Sequence, residues 1–131
     1  MKLLLDTHIW LWSLLDPQRL SRRVVRELDN KQNELWLSPI SVWEVLILHQ
    51  KRRIVLRGDV EEWIAHALRV APLAEAPVSH AVALETRAIQ LPHNDPADRF
   101  LAATAKVFGL TLVTADEHLL KAKGISTLAN R

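Results

Sequence analysis

The stretch LPHNDPADRFLAATAKVFGLTLVTAD, residues 91–116, decides the fold. Asp95 followed by Pro96 reads as an N-cap and a first helical residue, so a helix begins at 96. The helix runs to about residue 108, where Gly109 ends it. LTLVT (110–114) is then a short apolar strand, and Asp116 stands just beyond it. A helix feeding a buried strand that ends at an acid is half of an α/β repeat.

The same alternation continues upstream. KLLLD (2–6) reads as a buried strand and HIWLWSLL (8–15) as a helix closed by Asp16-Pro17. SRRVVRELDNK (21–31) is an amphipathic helix with Ser21 as N-cap, and ELWLS (34–38) is a strand. Ser38-Pro39 opens a long helix to about Arg53. DVEEWIAHALRV (59–70) is a helix capped by Asp59, and VSHAVALETRAIQL (78–91) another, capped at Ser79. ADEHLLKAK is a short helix stopped by Gly124, and ISTL (125–128) is a last edge strand. Strands alternating with helices imply an α/β fold, a parallel sheet covered by helices on both faces. In such sheets ligands bind beyond the carboxyl ends of the strands, at a topological switch point.

The 131 residues fit one domain, residues 1–131, and 49% hydrophobic residues with only 3 glycines argue against disorder. The absence of cysteine excludes disulfides and thiolate metal sites, and fits a reducing cytoplasm. No apolar run approaches the roughly 18 residues of a membrane span, and the N-terminal leucines are cut short by Asp6. A soluble, cytoplasmic protein is the expectation. Net charge is only +2, but Arg22, Arg23 and Arg26 cluster, as do Lys51, Arg52, Arg53 and Arg57. Each cluster reads either as a solvated helix end or as a phosphate contact.

Four acids sit in awkward places. Asp6 ends the first strand, Glu44 is the only charge in an apolar helix, Asp98 shares a face with Leu101, Ala102 and Ala105, and Asp116 follows LTLVT. Each has a plain reading as a cap: Asp6 and Asp116 as N-caps, Ser41-x-x-Glu44 and Asp95-x-x-Asp98 as capping boxes. Ser38-Pro39 is the better helix start, however, which leaves Glu44 too deep for a box. Asp95 reads as a cap that pairs with Arg99, four residues on, while Asp98 points along the apolar face. Carboxylates converging at strand ends repel one another unless some stay protonated or a cation sits among them. Oxygen donors without thiolates or paired histidines suit a hard cation, Mg²⁺ or Mn²⁺. The six histidines are scattered, with no zinc-type pair, and His8 and His93 lie near the acids in sequence. Trp10 and Trp12 stand two apart, so one helix face cannot bury both, and one of them is free to serve an interface.

LLLDTH, SPISVWE, HNDPADRFLAATA and LVTAD, in this order and spacing, resemble a PIN domain, and more narrowly the VapC-type toxins of toxin–antitoxin pairs. The resemblance spans essentially the whole chain. It implies a three-layer α/β/α sandwich around a central parallel sheet, and a Mg²⁺- or Mn²⁺-dependent endoribonuclease. The implied catalytic acids are Asp6, Glu44, Asp98 and Asp116, with Asp6, Asp98 and Asp116 on the metal. Thr114 matches the hydroxyl beside the last acid and Asp95 the aspartate before the proline, both in supporting roles. Asn94 and Ala97 stand where the family commonly has Arg and Phe, which touches substrate contacts more than catalysis. The implied partners are RNA, a small antitoxin and a second copy of the chain. Two rivals from other classes stay open at this point: a metal-dependent phosphatase, and a non-catalytic RNA- or protein-binding module on a similar fold. A dehalogenase-type phosphatase wants an acid at position 8, which is His8. A non-catalytic module is expected to have lost an acid.

Overall fold

The computed structural model describes residues 1–131. Its elements are β1 (Lys2–Leu5), α1 (Thr7–Leu15), α2 (Arg22–Asp29), β2 (Glu34–Leu37), α3 (Pro39–Gln50), α4 (Val60–Val70) and β3 (Ala74–Glu75). They continue with α5 (His80–Glu85), α6 (Pro96–Phe108), β4 (Thr111–Thr114), α7 (Glu117–Leu120) and β5 (Ser126–Ala129). The five strands form one sheet in the order β3-β2-β1-β4-β5, and every pairing is parallel.

Alternation along β1 builds two cores. Leu3 and Leu5 point to one face of the sheet and join Ile9, Trp10, Val24, Val45 and Ile64. Leu4 points to the other and joins Val82, Leu101, Ala102, Leu112 and Leu119. All three leucines of β1 are within 2% of full burial, as a strand covered on both sides requires. Helices α1–α4 cover one face and α5–α7 the other, which is the expected three-layer α/β/α sandwich. The alanines of α6 (Ala102, Ala103, Ala105) are fully buried and present no bulk, so α6 lies close on the sheet.

The chain runs outward from β1 to β2 and β3, then crosses back to place β4 on the other side of β1. The switch point therefore lies at the carboxyl ends of β1 and β4. Register makes this specific. Leu5 pairs with Val113, and the ladder continues one step with Asp6 N–H donating to Val113 O at 3.0 Å. Asp6 and Thr114 thus leave the sheet side by side.

Ser21, Ser38, Asp59, Ser79 and Asp95 all cap the helices that follow them. Gly109 ends α6 in the left-handed conformation at φ 63°, which costs a residue without Cβ nothing. Four readings need correction. The helix read over 78–91 stops at Glu85 and tightens into a 3-10 turn at Thr86–Ala88. Arg99 is the reason: its Nη1 donates to the carbonyls of Thr86 (3.1 Å) and Ile89. Those bonds take up backbone acceptors at the end of the α5 segment. By the same token Arg99 does not pair with Asp95, which contradicts the helix-surface pairing read from their spacing. The long helix ends at Gln50 rather than near Arg53, because Arg52 turns left-handed at φ 56°. Finally β3 is an unforeseen strand: its two residues lie between Pro72 and Pro77 and are too short to show a period.

Candidate active site

Asp6, Glu44, Asp95, Asp98 and Asp116 line a single cleft of about 320 Å³, together with His8, Trp12 and Ala115. No lysine or arginine is in that lining. The five carboxylates come from three βα junctions (β1–α1, β2–α3 and β4–α7) and from the start of α6, which follows α5; helix starts set all of them but Glu44, which lies deeper in α3.

Asp6 is the N-cap of α1. Its Oδ1 accepts from Thr7 N–H at 2.8 Å and its Oδ2 from Thr114 Oγ1 at 2.6 Å. Thr114 Oγ1 in turn accepts from Asp116 N–H at 3.0 Å, so one hydroxyl ties the ends of β1 and β4 together. Asp116 caps α7 through His118 N–H and Leu119 N–H, both on Oδ1. Asp95 Oδ1 caps α6 through Ala97 N–H and Asp98 N–H. Capping and convergence are therefore the same geometry: each cap leaves a carboxylate edge turned toward the cleft.

Asp98 is not a cap. It is 8% exposed and shares its buried face with Leu101, Ala102 and Ala105, as the helical spacing requires. Glu44 is half-buried on α3, a turn and a half inside the helix that Ser38 starts, so it is not the third residue of a capping box. It accepts from Thr7 Oγ1, which also lies 2.9 Å from Ser41 Oγ. With one proton on Thr7, the Ser41 hydroxyl is the donor in that second contact.

Burial and crowding act on the acids in the same direction. Burial pushes Glu44 up to about 7, against the Thr7 hydrogen bond, and the charges of Asp6, Asp98 and Asp95 add to the rise. Burial likewise pushes Asp98 up to about 6, against its bond to His93, with Asp95, Asp6 and Asp116 adding repulsion. Asp6 is raised by its burial, although Thr114, His8 and the Thr7 N–H oppose this. Asp6, Glu44 and Asp98 thus share a raised proton affinity in a cleft without lysine or arginine, an arrangement whose charge a bound cation would offset. The donor set fits a divalent cation.

His93 is the residue whose place the spacing left open. Its Nε2 lies 2.8 Å from Asp98 Oδ2, and its ring stacks on His118 at 4.5 Å between centroids. The donor atoms of His93, Asp98 and Asp116 all lie within 4.8 Å of one another. Nδ1 of His93 is buried with no partner. A neutral ring carrying its proton on Nε2 donates to Asp98 and leaves no N–H orphaned. His93 sits five residues before Asp98 in a loop, where no helical period ties the two together, so sequence spacing carried no signal for the contact. The sequence points to Ser41 only as a capping-box candidate for Glu44, and for Thr7 its adjacency to Asp6 is the available cue. Of the two tryptophans of α1, Trp10 is buried against Trp63, and Trp12 is half-buried on the cleft wall.

The PIN domain family model matches residues 3–125. Ribonuclease VapC22 of Mycobacterium tuberculosis is 35% identical over 119 residues, 88% of this chain and 88% of that protein. Among solved structures, VapBC2 from Rickettsia felis bound to a promoter DNA fragment is similar with a TM-score of 0.74 at 17% identity, covering 98% of each chain. FitAcB from Neisseria gonorrhoeae is similar with a TM-score of 0.63 at 26% identity, covering 98% of this chain and 97% of that one. A family match over nearly the whole chain, a relative of this identity and a shared three-layer fold lead to one conclusion: the protein belongs to the PIN-domain family, among its VapC-type members.

Proposed function

We propose that this protein is a Mg²⁺- or Mn²⁺-dependent endoribonuclease that hydrolyses RNA phosphodiester bonds, and the toxin of a toxin–antitoxin pair. The observation that carries the reading is the convergence of Asp6, Glu44, Asp98 and Asp116 in a cleft without lysine or arginine, on a VapC-type fold. Asp6, Asp98 and Asp116 would hold the ion. When bound, it supplies Lewis acidity toward a phosphate oxygen and lowers the pKa of water.

The chain's own residues do the rest. Thr114 Oγ1 and Thr7 N–H hold the two oxygens of Asp6, so that carboxylate is oriented before any ligand arrives. His93 holds Asp98 by its Oδ2, and the Asp95 cap fixes the first turn of α6 from which Asp98 projects. Glu44, whose carboxyl Thr7 Oγ1 holds in the same cleft, would orient the attacking water or complete the metal shell through water.

Partners follow from the same reading. Similarity to a toxin–antitoxin complex from Klebsiella pneumoniae (TM-score 0.65 at 19% identity) supports a small antitoxin as one partner. Trp43 (52% exposed) and Leu46, one turn apart on α3, give an exposed apolar face that supports a second copy of the chain as another. No helix is long and apolar enough to cross a membrane, and an RNA substrate would be in keeping with a cytoplasmic site of action.

The test is cleavage mapping on total cellular RNA with Mg²⁺ or Mn²⁺, wild type against Asp98→Asn. Discrete cuts made by the wild type and lost in the variant are expected. Cuts that persist in Asp98→Asn and in EDTA would exclude the four-carboxylate metal mechanism.

A further inference from the structure

We infer that the RNA nucleotide flanking the scissile phosphate places its base in a second pocket, built on Trp12 and opening from the acid cleft. The inference rests on the nuclease reading above and adds a specificity subsite to it. His8 and Trp12 line the acid cleft and also a neighbouring pocket of about 410 Å³, so the two are continuous. The second pocket lies between the end of α1 and the segment after α3, with Leu48, Ile54, Arg19 and Arg53 among its walls.

Its chemistry differs from that of the cleft. His8 lies against Trp12 with ring centroids 5.8 Å apart, and the Arg19 guanidinium carbon stands 4.5 Å over the Trp12 ring. The imidazole meets the indole at 51° and the guanidinium lies over the indole, so three flat groups at different tilts line the pocket mouth. Unpaired bases stack on such planes, aromatic or guanidinium, without needing a hydrogen-bonding code. The aliphatic wall of Leu48 and Ile54 closes the apolar side, and Val55 stands 91% exposed at the rim.

Charge favours an anionic chain along this path and not only a base. Arg53 lines the pocket, and Lys51 and Arg52 are exposed beside it. Asp16 is the one acid of the lining, and it faces Arg19 at 4.0 Å. The acid cleft, by contrast, has no lysine or arginine, so a phosphate beside the cut finds its countercharge here. A substrate with a flat apolar group next to a phosphodiester meets both features. A protein side chain in this pocket is the alternative outcome of the test.

The experiment compares a short single-stranded oligouridylate with an abasic ribose-phosphate oligomer of the same length, with Ca²⁺ in place of Mg²⁺ or Mn²⁺. The wild type is expected to bind the oligouridylate about tenfold more tightly than the abasic chain, the scale of one stacked base. Trp12→Ala should erase that difference and Trp12→Phe should keep most of it. Melting curves of both variants report whether each is folded. In parallel, a randomised RNA pool is cut with Mg²⁺, and the bases flanking the cut are sequenced. Wild type should show a preference at one flanking position that Trp12→Ala loses. Equal binding of the two oligomers by the wild type, or a preference unchanged in Trp12→Ala, overturns the subsite. Base-dependent binding without any cleavage leaves the subsite standing and overturns the nuclease reading instead.

Discussion

Glu44→Gln should make the metal-free protein more stable at pH 8 and leave it unchanged at pH 4. A carboxyl that titrates near 7 instead of 4.5 costs the fold about 3 kcal/mol once it is ionised. Glu44 is only half-buried, and solvent screening reduces this to about 1–2 kcal/mol. The sign follows from linkage. Below 4.5 the group is protonated in both folded and unfolded chains and contributes nothing. Between 4.5 and about 7 the unfolded chain loses the proton first, so stability falls as pH rises; above 7 both forms are ionised and the cost is constant. Gln keeps an oxygen to accept from Thr7 Oγ1 but cannot ionise, so it escapes the cost. The assay is thermal unfolding in EDTA from pH 4 to 8.5. The variant should melt about 5 °C above wild type at pH 8, and the two curves should merge at the acid end. A wild type whose stability does not fall between pH 5 and 8, or a Glu44→Gln protein that melts at or below wild type at pH 8, would refute the argument that crowding and burial raise this carboxyl.

Saturating Mn²⁺ or Mg²⁺ should stabilise the wild type by about 2.7 kcal/mol at a hundredfold excess over Kd, read as a higher melting temperature, and Asp98→Asn should lose most of that gain in the same titration. Asp98→Asn should also lower RNA cleavage by more than the roughly 10–100-fold that changes outside the metal's direct ligands cost, read from single-turnover rates. Arg99→Leu removes the donor to the Thr86 and Ile89 carbonyls and should cost about 2–3 kcal/mol in denaturant unfolding. The cost should fall on the segment that carries His93, visible as faster amide exchange there. Gly109→Ala forces a Cβ into a left-handed position and should cost about 1 kcal/mol with RNA cleavage unchanged.

Much of this architecture is legible in the chain because it depends on local chemistry. Ser38-Pro39, Asp95-Pro96 and Gly109 mark helix ends through caps and a left-handed stop, which need only neighbouring residues. The triple leucine of β1 marks a strand covered on both faces, and the helical period alone separated Asp98, on the buried stripe, from Asp95 at the cap. The strand–helix alternation and four motifs in order then pointed to the PIN family and to four acids, which the fold brings to one cleft. What spacing could not supply are contacts made across the sheet or from a loop. Arg99 is four residues from Asp95, yet it serves two carbonyls of another segment, because those backbone acceptors need a donor, whereas Asp95 already accepts from two backbone N–H groups. His93 meets Asp98 and His118, Thr114 meets Asp6 across 108 positions, and Trp12 joins the acid cleft to a second pocket. Those contacts were decided by the parallel register of β1 on β4 and by the crossing of the chain back over β1. Register and crossing are set by the packing of both faces at once, which no single window of residues contains.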